Sequence, residues 1–515
     1  MRGDQDSRAR TLWELLEAGD DRQNAIEAFE DEPLSFDALR SLIDATVAIL
    51  NAHGIGDGDR VAVVLNNGPA MATCFLGIAA GAAAAPLNPA YKSEEFEFFL
   101  TDLEPKILVI EEDQQSPAVD VATKLGIPVV RLRTAPEWGA GHFTLLFPGE
   151  LKGREPASRG FSKADDIALL LHTSGTTSRP KLVPLRHSNL CASAFNVAAT
   201  LELAKHDRGL NMMPLLHIHG LVAGLLAPLS AGGCVVCSKG FNALKFFGWM
   251  TEVRPTWYSA VPTMHQAILG RAAKNAEVIK SNPLRFIRSS SSSIPPQVIR
   301  EIEDIFGCPL IESYGMTEAS HQMASNPLPP GVRRPGSVGL PAGPEVAIAD
   351  ENGRRLKPGE TGEIVIRGAN VMNGYINNEK ANAEAFTSEG FFRTGDQGVM
   401  DHDGYITITG RLKEIINRGG EKVSPREIDE VLMDHPCVAQ CVCFAVPHAK
   451  LGEDIAVAIV LREAMTADER SIKDFCANRL ARFKVPETVI FLEEIPKGAT
   501  GKLQRIGLAA KLGLV

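Results

Sequence analysis

The chain has 515 residues, 44% hydrophobic and 23% charged, which is too long for one hydrophobic core and has the balance of an ordinary globular protein of about two to four domains. Lys plus Arg number 53 against 63 Asp plus Glu, a formal charge of -10, and no basic tract offers a groove for nucleic acid. Nine cysteines form no evident disulfide framework. Cys234 and Cys237 make a C-x-x-C inside the apolar run GGCVVCS, with no second pair and no histidine at ligand spacing, and read as buried thiols; Cys441 and Cys443 in QCVCFAV read the same way.

The first residues, MRGDQDSRARTLWELLEAGDD, are charged throughout and lack the apolar core of a secretory signal. Two uncharged stretches, 70–87 and 209–238, are broken by Pro86 and by Pro214, Pro228, Gly232 and Gly233, so they predict buried helix plus strand, not membrane spans. From about Arg60 to Gly339, apolar runs alternate with helical patterns: RVAVVL, ILVI, IALLLHTSG, CVVCS, TWYSAVP and PLIESYG. That alternation predicts α/β units with largely parallel sheets. VAIADENGRRL, GEIVIRG and GYITITGR then predict a small antiparallel β unit. Past Arg411, runs at QCVCFAV, DIAVAIVL and ETVIFLEE predict a further α/β module of roughly a hundred residues. The fold class expected is therefore α/β: a large N-terminal domain, 1–412, of parallel-rich sheets plus a small β unit, and a small mobile C-terminal α/β domain, 413–515. The ending KLGLV carries no SKL-type address, and a cytoplasmic location is expected.

Several short motifs carry chemistry. TSGTTSRPK, 173–181, follows a buried strand; its glycine and small hydroxyls suit phosphate oxygens and its lysine adds a point charge. It is not a Walker loop, since Pro180 stands where the second glycine belongs and Leu182 follows Lys181. YGMTE, 314–318, sets a ring, a hydroxyl and a carboxylate within one turn, for a base, a phosphate and a hard cation. RTGD offers Asp396, whose two oxygens suit a ribose diol. GRLKEIINRGGEKVSPREID, 410–429, and PKGATGK, 496–502, complete the series.

In this order and spacing the motifs resemble those of the acyl-adenylate-forming superfamily, which includes acyl-CoA synthetases, luciferases and peptide-synthetase adenylation domains. The resemblance covers nearly the whole chain. It implies a two-step reaction in which a carboxylate attacks MgATP to give acyl-AMP and pyrophosphate, and a thiol then displaces AMP; ATP, Mg2+ and CoA are the implied cofactors. By resemblance, Thr173, Ser174, Gly175, Thr176, Thr177 and Lys181 hold phosphates, Tyr314 and the adjoining Gly315 meet the adenine, Thr317 contacts the α-phosphate and Glu318 the magnesium. Asp396 and Arg411 bind the ribose, and Lys502 reaches in from the small domain for adenylation. Lys413 occupies the hinge, Arg418, Gly419 and Gly420 line the thiol passage, and His217 in PLLHIHG gates the acid pocket. His219, on the same face if this segment is a strand, has no counterpart and is expected to be a buried structural histidine.

One stretch departs from the superfamily pattern. FIRSSSSSIPPQV, 286–298, puts hydroxyls where the loop is usually bare or apolar, a wall suited to oxygen atoms. His321, three residues after Glu318, can donate to a second carboxylate. With SHQMASNPLPPGVRRPGSVG, the serine run resembles the oxalate CoA ligases of plants, fungi and bacteria, which implies oxalate as the acid. Ser291 and His321 are then expected to hold its distal carboxylate, with acetate or malonate as the alternative acids. No arginine clamp is evident in the sequence, although arginine is the commoner partner of a dicarboxylate.

Overall fold

The computed structural model describes residues 8–151, 155–156, 158–173, 180–496 and 505–514. Among these, a seven-stranded sheet runs in the order Phe143–Leu146, Val129–Thr134, Ile107–Glu111, Arg60–Val64, Ala83–Pro86, Ile167–Thr173, Lys181–Arg186. Its inner strands are parallel and both edge strands antiparallel. A nine-stranded sheet follows, with Asn24–Glu27, Cys234–Cys237, Arg208–Asn211, Trp257–Ala260, Phe286–Ser289 and Leu310–Met316 parallel, and with antiparallel strands on either side. Both runs called uncharged by sequence are buried helix plus strand, Pro69–Ala79 with Ala83–Pro86 and His219–Ser230 with Cys234–Cys237. The first of these helices is buried on every side from Met71 to Ala79, which explains its lack of charge. By contrast the helix Phe36–Ala52 buries only Phe36, Leu39, Leu42, Ile43, Thr46, Val47 and Leu50, one stripe at helical spacing. One hydrophobic cluster joins these helices to both sheets.

The antiparallel unit is a four-stranded sheet of Glu345–Ala349, Thr361–Arg367, Phe392–Met400 and Ile406–Arg411. The next strand, Ile416–Arg418, already belongs to a separate five-stranded sheet with Glu421–Val423, Gly452–Leu461, Val438–His448 and Thr488–Phe491. A half-buried knot ties this smaller body together. The Arg505 guanidinium meets Asp429 at 2.6 Å and Glu414 at 3.1 Å and donates to the Cys443 carbonyl at 3.0 Å. Every cysteine is a free thiol, as expected, and burial pushes Cys237 up to about 12. Among the described residues no helix is long and apolar enough to cross a membrane.

Candidate active site

The strands Trp257–Ala260, Phe286–Ser289 and Leu310–Met316 end side by side, and their register decides which residues share a face. Ser259 pairs with Arg288, while Ser289 pairs with Glu312. Since successive side chains alternate, Arg288 and Ser259 lie on one face and Ser289, Glu312 and Tyr314 on the other.

On the Tyr314 face, the phenol donates to Asp396 Oδ2, and Arg411 Nε lies 3.0 Å from Asp396 Oδ1. Asp396 and Arg411 are cross-strand partners, so the antiparallel sheet itself presents the pair. The Asp396 carboxylate raises the Arg411 pKa, and burial with the same carboxylate pushes the Tyr314 phenol far up. Gly315 has to be glycine here: a Cβ would stand 1.8 Å from the His321 carbonyl oxygen on the neighbouring strand. Glu312, two residues before Tyr314, is 2% exposed, and no side chain donates to its carboxylate. Burial pushes it up to about 7, against the attraction of Arg426 on the helix Pro425–Met433.

Glu318 sits in the short turn Thr317–Ala319, with Thr317 half-buried at its start. The Tyr375 hydroxyl donates to Glu318 Oε1 at 3.0 Å, and the Lys181 ammonium lies 4.4 Å from the centre of the Tyr375 ring. Burial nevertheless raises the Glu318 carboxyl. Thr173 pairs across the sheet with Lys181, so the strands that flank the motif TSGTTSRPK bring its two ends together. Ser174, Gly175, Thr176, Thr177 and Lys502 lie outside the described residues.

On the opposite face, Arg288 is fully buried without a carboxylate partner, which pulls its pKa down to about 9 and leaves it charged at neutral pH. Nη1 donates to Ser259 Oγ at 3.3 Å and lies 3.4 Å from His219 Nε2; Nη2 donates to Gln322 Oε1 at 3.3 Å; Nε has no partner. His219 Nε2 lies 2.6 Å from Ser259 Oγ, and Nδ1 lies 3.0 Å from Ser291 Oγ. The His321 ring stacks on His219 at 5.0 Å. The backbone is left-handed at Ser291 (φ 73°), Ser320 (φ 50°) and His321 (φ 103°), a strain that concentrates at binding sites.

The serine run therefore divides. Ser289 and Ser290 are buried, Ser290 donating to the Ser313 carbonyl at 3.1 Å; Ser291 meets His219; Ser292 and Ser293 are exposed. His219 is buried, as expected. PLLHIHG is a turn leading into the π-helical segment His219–Leu226, not a strand, so His217 is half-buried in the turn while His219 enters the Arg288 cluster. Arg288, in the apolar strand Phe286–Ser289, is a buried arginine that the sequence did not mark. Glu312, Ser259 and Gln322 were likewise unmarked. Lys413 is exposed in the turn Leu412–Glu414, and Gly419 and Gly420 are exposed with φ of 62° and 99°. Arg418 is held by Asp454 at 2.7 Å and donates to the Phe483 carbonyl at 2.8 Å.

The chain is 46% identical over 473 residues, 91% of each chain, to a protein of Arabidopsis thaliana named oxalate–CoA ligase. It is 41% identical to a Saccharomyces cerevisiae protein of the same name, over 87% of this chain and 86% of that one. The crystal structure of ATP-bound MatB from Rhodopseudomonas palustris superimposes with a TM-score of 0.87 at 30% identity, covering 98% of this chain and 99% of that one. Residues 16–376 match the AMP-binding enzyme family and residues 427–502 its C-terminal domain, so the chain belongs to the AMP-binding enzymes.

Proposed function

We propose that this chain is an AMP-forming CoA ligase that activates oxalate. One oxalate carboxylate attacks the α-phosphorus of ATP, forming the P–O bond of oxalyl-AMP as pyrophosphate leaves. The CoA thiolate then attacks the oxalyl carbonyl, and AMP leaves with the electrons of the broken C–O bond. The observation that carries the choice of acid is Arg288: a fully buried guanidinium with no carboxylate beside it, under a layer of serine and histidine. An uncompensated buried charge is costly unless a counterion arrives, and a small dianion supplies one.

The distal carboxylate lies against Ser291 and His321, with His217 at the edge of the acid pocket. Tyr314 and Gly315 meet the adenine, whose exocyclic amine donates to a Glu312 carboxyl oxygen; Asp396 and Arg411 bind the ribose hydroxyls. Thr173, Ser174, Gly175, Thr176, Thr177, Lys181 and Thr317 hold phosphates, and Lys502 offsets charge at the α-phosphate during adenylation. Mg2+ fits Glu318, since a hard cation bound to phosphate needs only one or two carboxylates and a desolvated one gains most from it. When bound, the ion neutralises phosphate charge. Among the described residues no cluster of three or more acidic, histidine or cysteine side chains provides a separate cage. Domains 1–412 and 413–515 turn about Lys413 between the half-reactions, which brings Arg418, Gly419 and Gly420 to the thiol passage. The reading places the enzyme in cytoplasmic oxalate catabolism.

The test is pyrophosphate release from ATP with oxalate, acetate and malonate, each with and without CoA. Oxalate should lead in kcat/KM, with oxalyl-CoA as the product. Equal use of acetate or malonate would overturn the assignment of the acid.

A further inference from the structure

The geometry points to a one-way hydrogen-bond chain, Arg288 to Ser259 to His219 to Ser291, that fixes the direction of the Ser291 hydroxyl proton so that it faces the acid as a donor. This rests on the proposed role of Ser291 at the distal carboxylate.

The direction follows from donor counting. A guanidinium has only donors, so Ser259 Oγ, 3.3 Å from Arg288 Nη1, accepts there. The other nitrogen of Arg288 is fixed independently. Gln322 Nε2 lies 3.2 Å from the Ala342 carbonyl, an acceptor, and 3.0 Å from Thr200 Oγ1, so the amide oxygen of Gln322 is the end that turns to Arg288 Nη2. His219 Nε2 has a guanidinium nitrogen at 3.4 Å and the Ser259 hydroxyl at 2.6 Å. A proton on Nε2 would face the Arg288 donor, so Nε2 is the lone-pair nitrogen and receives the Ser259 hydrogen. The ring proton then sits on Nδ1 and is donated to Ser291 Oγ at 3.0 Å. With a lone pair of Ser291 taken by that proton, its own hydrogen is left for an acceptor in the pocket. The left-handed backbone at Ser291 (φ 73°) holds the side chain there.

Ser259 and His219 thus act as positioning residues. Arg288 gives the chain its polarity, and an incoming carboxylate finds a hydroxyl already oriented, with no rotor to freeze or reverse.

A double-mutant cycle tests this on the full chain. Ser291→Ala should raise the KM for oxalate about tenfold, the loss of one hydrogen bond to a charged group, and leave the KM for ATP within about twofold. Ser259→Ala should do nearly the same, and the double variant should be no worse than Ser291→Ala alone. The direction of the proton is read by two replacements of His219: Asn places its amide N–H where Nδ1–H stood, Gln where Nε2 stood, so His219→Asn should retain more oxalate preference than His219→Gln. Additive losses in the cycle, as a merely structural Ser259 would give, or a Gln variant at least as selective as Asn, overturn the chain. Failure of wild type to release pyrophosphate with oxalate sinks the choice of acid instead, and the cycle is then read on the acid that wild type does activate.

Discussion

On one face of the strands Phe286–Ser289 and Leu310–Met316 lies a set that ends in donors: Arg288, the neighbouring Ser259, and through His219 the Ser291 hydroxyl. On the other face, one residue along, lies a set with acceptors to spare: Glu312 with no side-chain donor, then Tyr314 against Asp396. The pleat separates them by a single residue, so under the proposed function one sheet edge serves two ligands of opposite demand, an anion that only accepts and an adenine amine that donates. Both faces leave buried polar atoms unmatched, the pattern expected where stability has been given up for binding.

The largest break in this comparison should come from the donor face. Arg288→Met keeps the volume and removes the buried cation, so kcat/KM for oxalate should fall by about 10² or more, the loss of a charged hydrogen-bonding partner and what it aligns. The melting temperature should not fall, because an unpaired buried charge is removed. Steady-state kinetics with calorimetry on one preparation reads both.

Asp396→Asn strikes the acceptor face. It removes the charge that pairs with Arg411 and accepts the Tyr314 hydrogen bond, and the KM for ATP should rise about tenfold or more with the oxalate KM little changed. A rise confined to oxalate would dissolve the division between the faces.

Glu312 sharpens the comparison through pH. Its folded value of about 7 stands above the usual 4.5, so between those values the folded chain keeps a proton that the unfolded chain has lost. Stability contributed by this group is therefore full below about 4.5 and declines as pH rises through about 7, by about 3 kcal/mol in all. Glu312→Gln should flatten that slope, seen as a smaller difference in melting temperature between pH 5 and pH 8 than in wild type. An unchanged slope would place the titration elsewhere.

The smallest effect expected is Tyr375→Phe. Loss of the hydroxyl that lowers Glu318 should raise that carboxyl further, and the Mg2+ concentration for half-maximal activity should increase a few-fold, a neutral hydrogen bond's worth. A titration of activity against Mg2+ checks it.

The sequence revealed those parts of the site whose residues are unusual for their surroundings. Five serines after an apolar strand are conspicuous, and so is a histidine three residues past YGMTE. The sheets were legible because buried parallel strands read as short apolar runs, and the antiparallel unit because its residues alternate. Arg288 and Glu312 were not legible: each is a single charge in an apolar strand, FIRS or LIES, and only the register shows that they face opposite sides of the sheet. His219 is buried as expected, but PLLHIHG is a turn into a π-helical segment and not a strand, so helical rather than alternate spacing sets its direction.

The knot at Arg505 has a mechanical consequence. Glu414 follows Lys413 directly, Asp429 lies on the helix Pro425–Met433, the Cys443 carbonyl belongs to the central hairpin, and one guanidinium grips all three. Chain segments separated by as many as 91 positions in sequence are thereby joined. In the turn proposed at Lys413, the first residue past the pivot is thus tied to residue 505, so both ends of the smaller body move together.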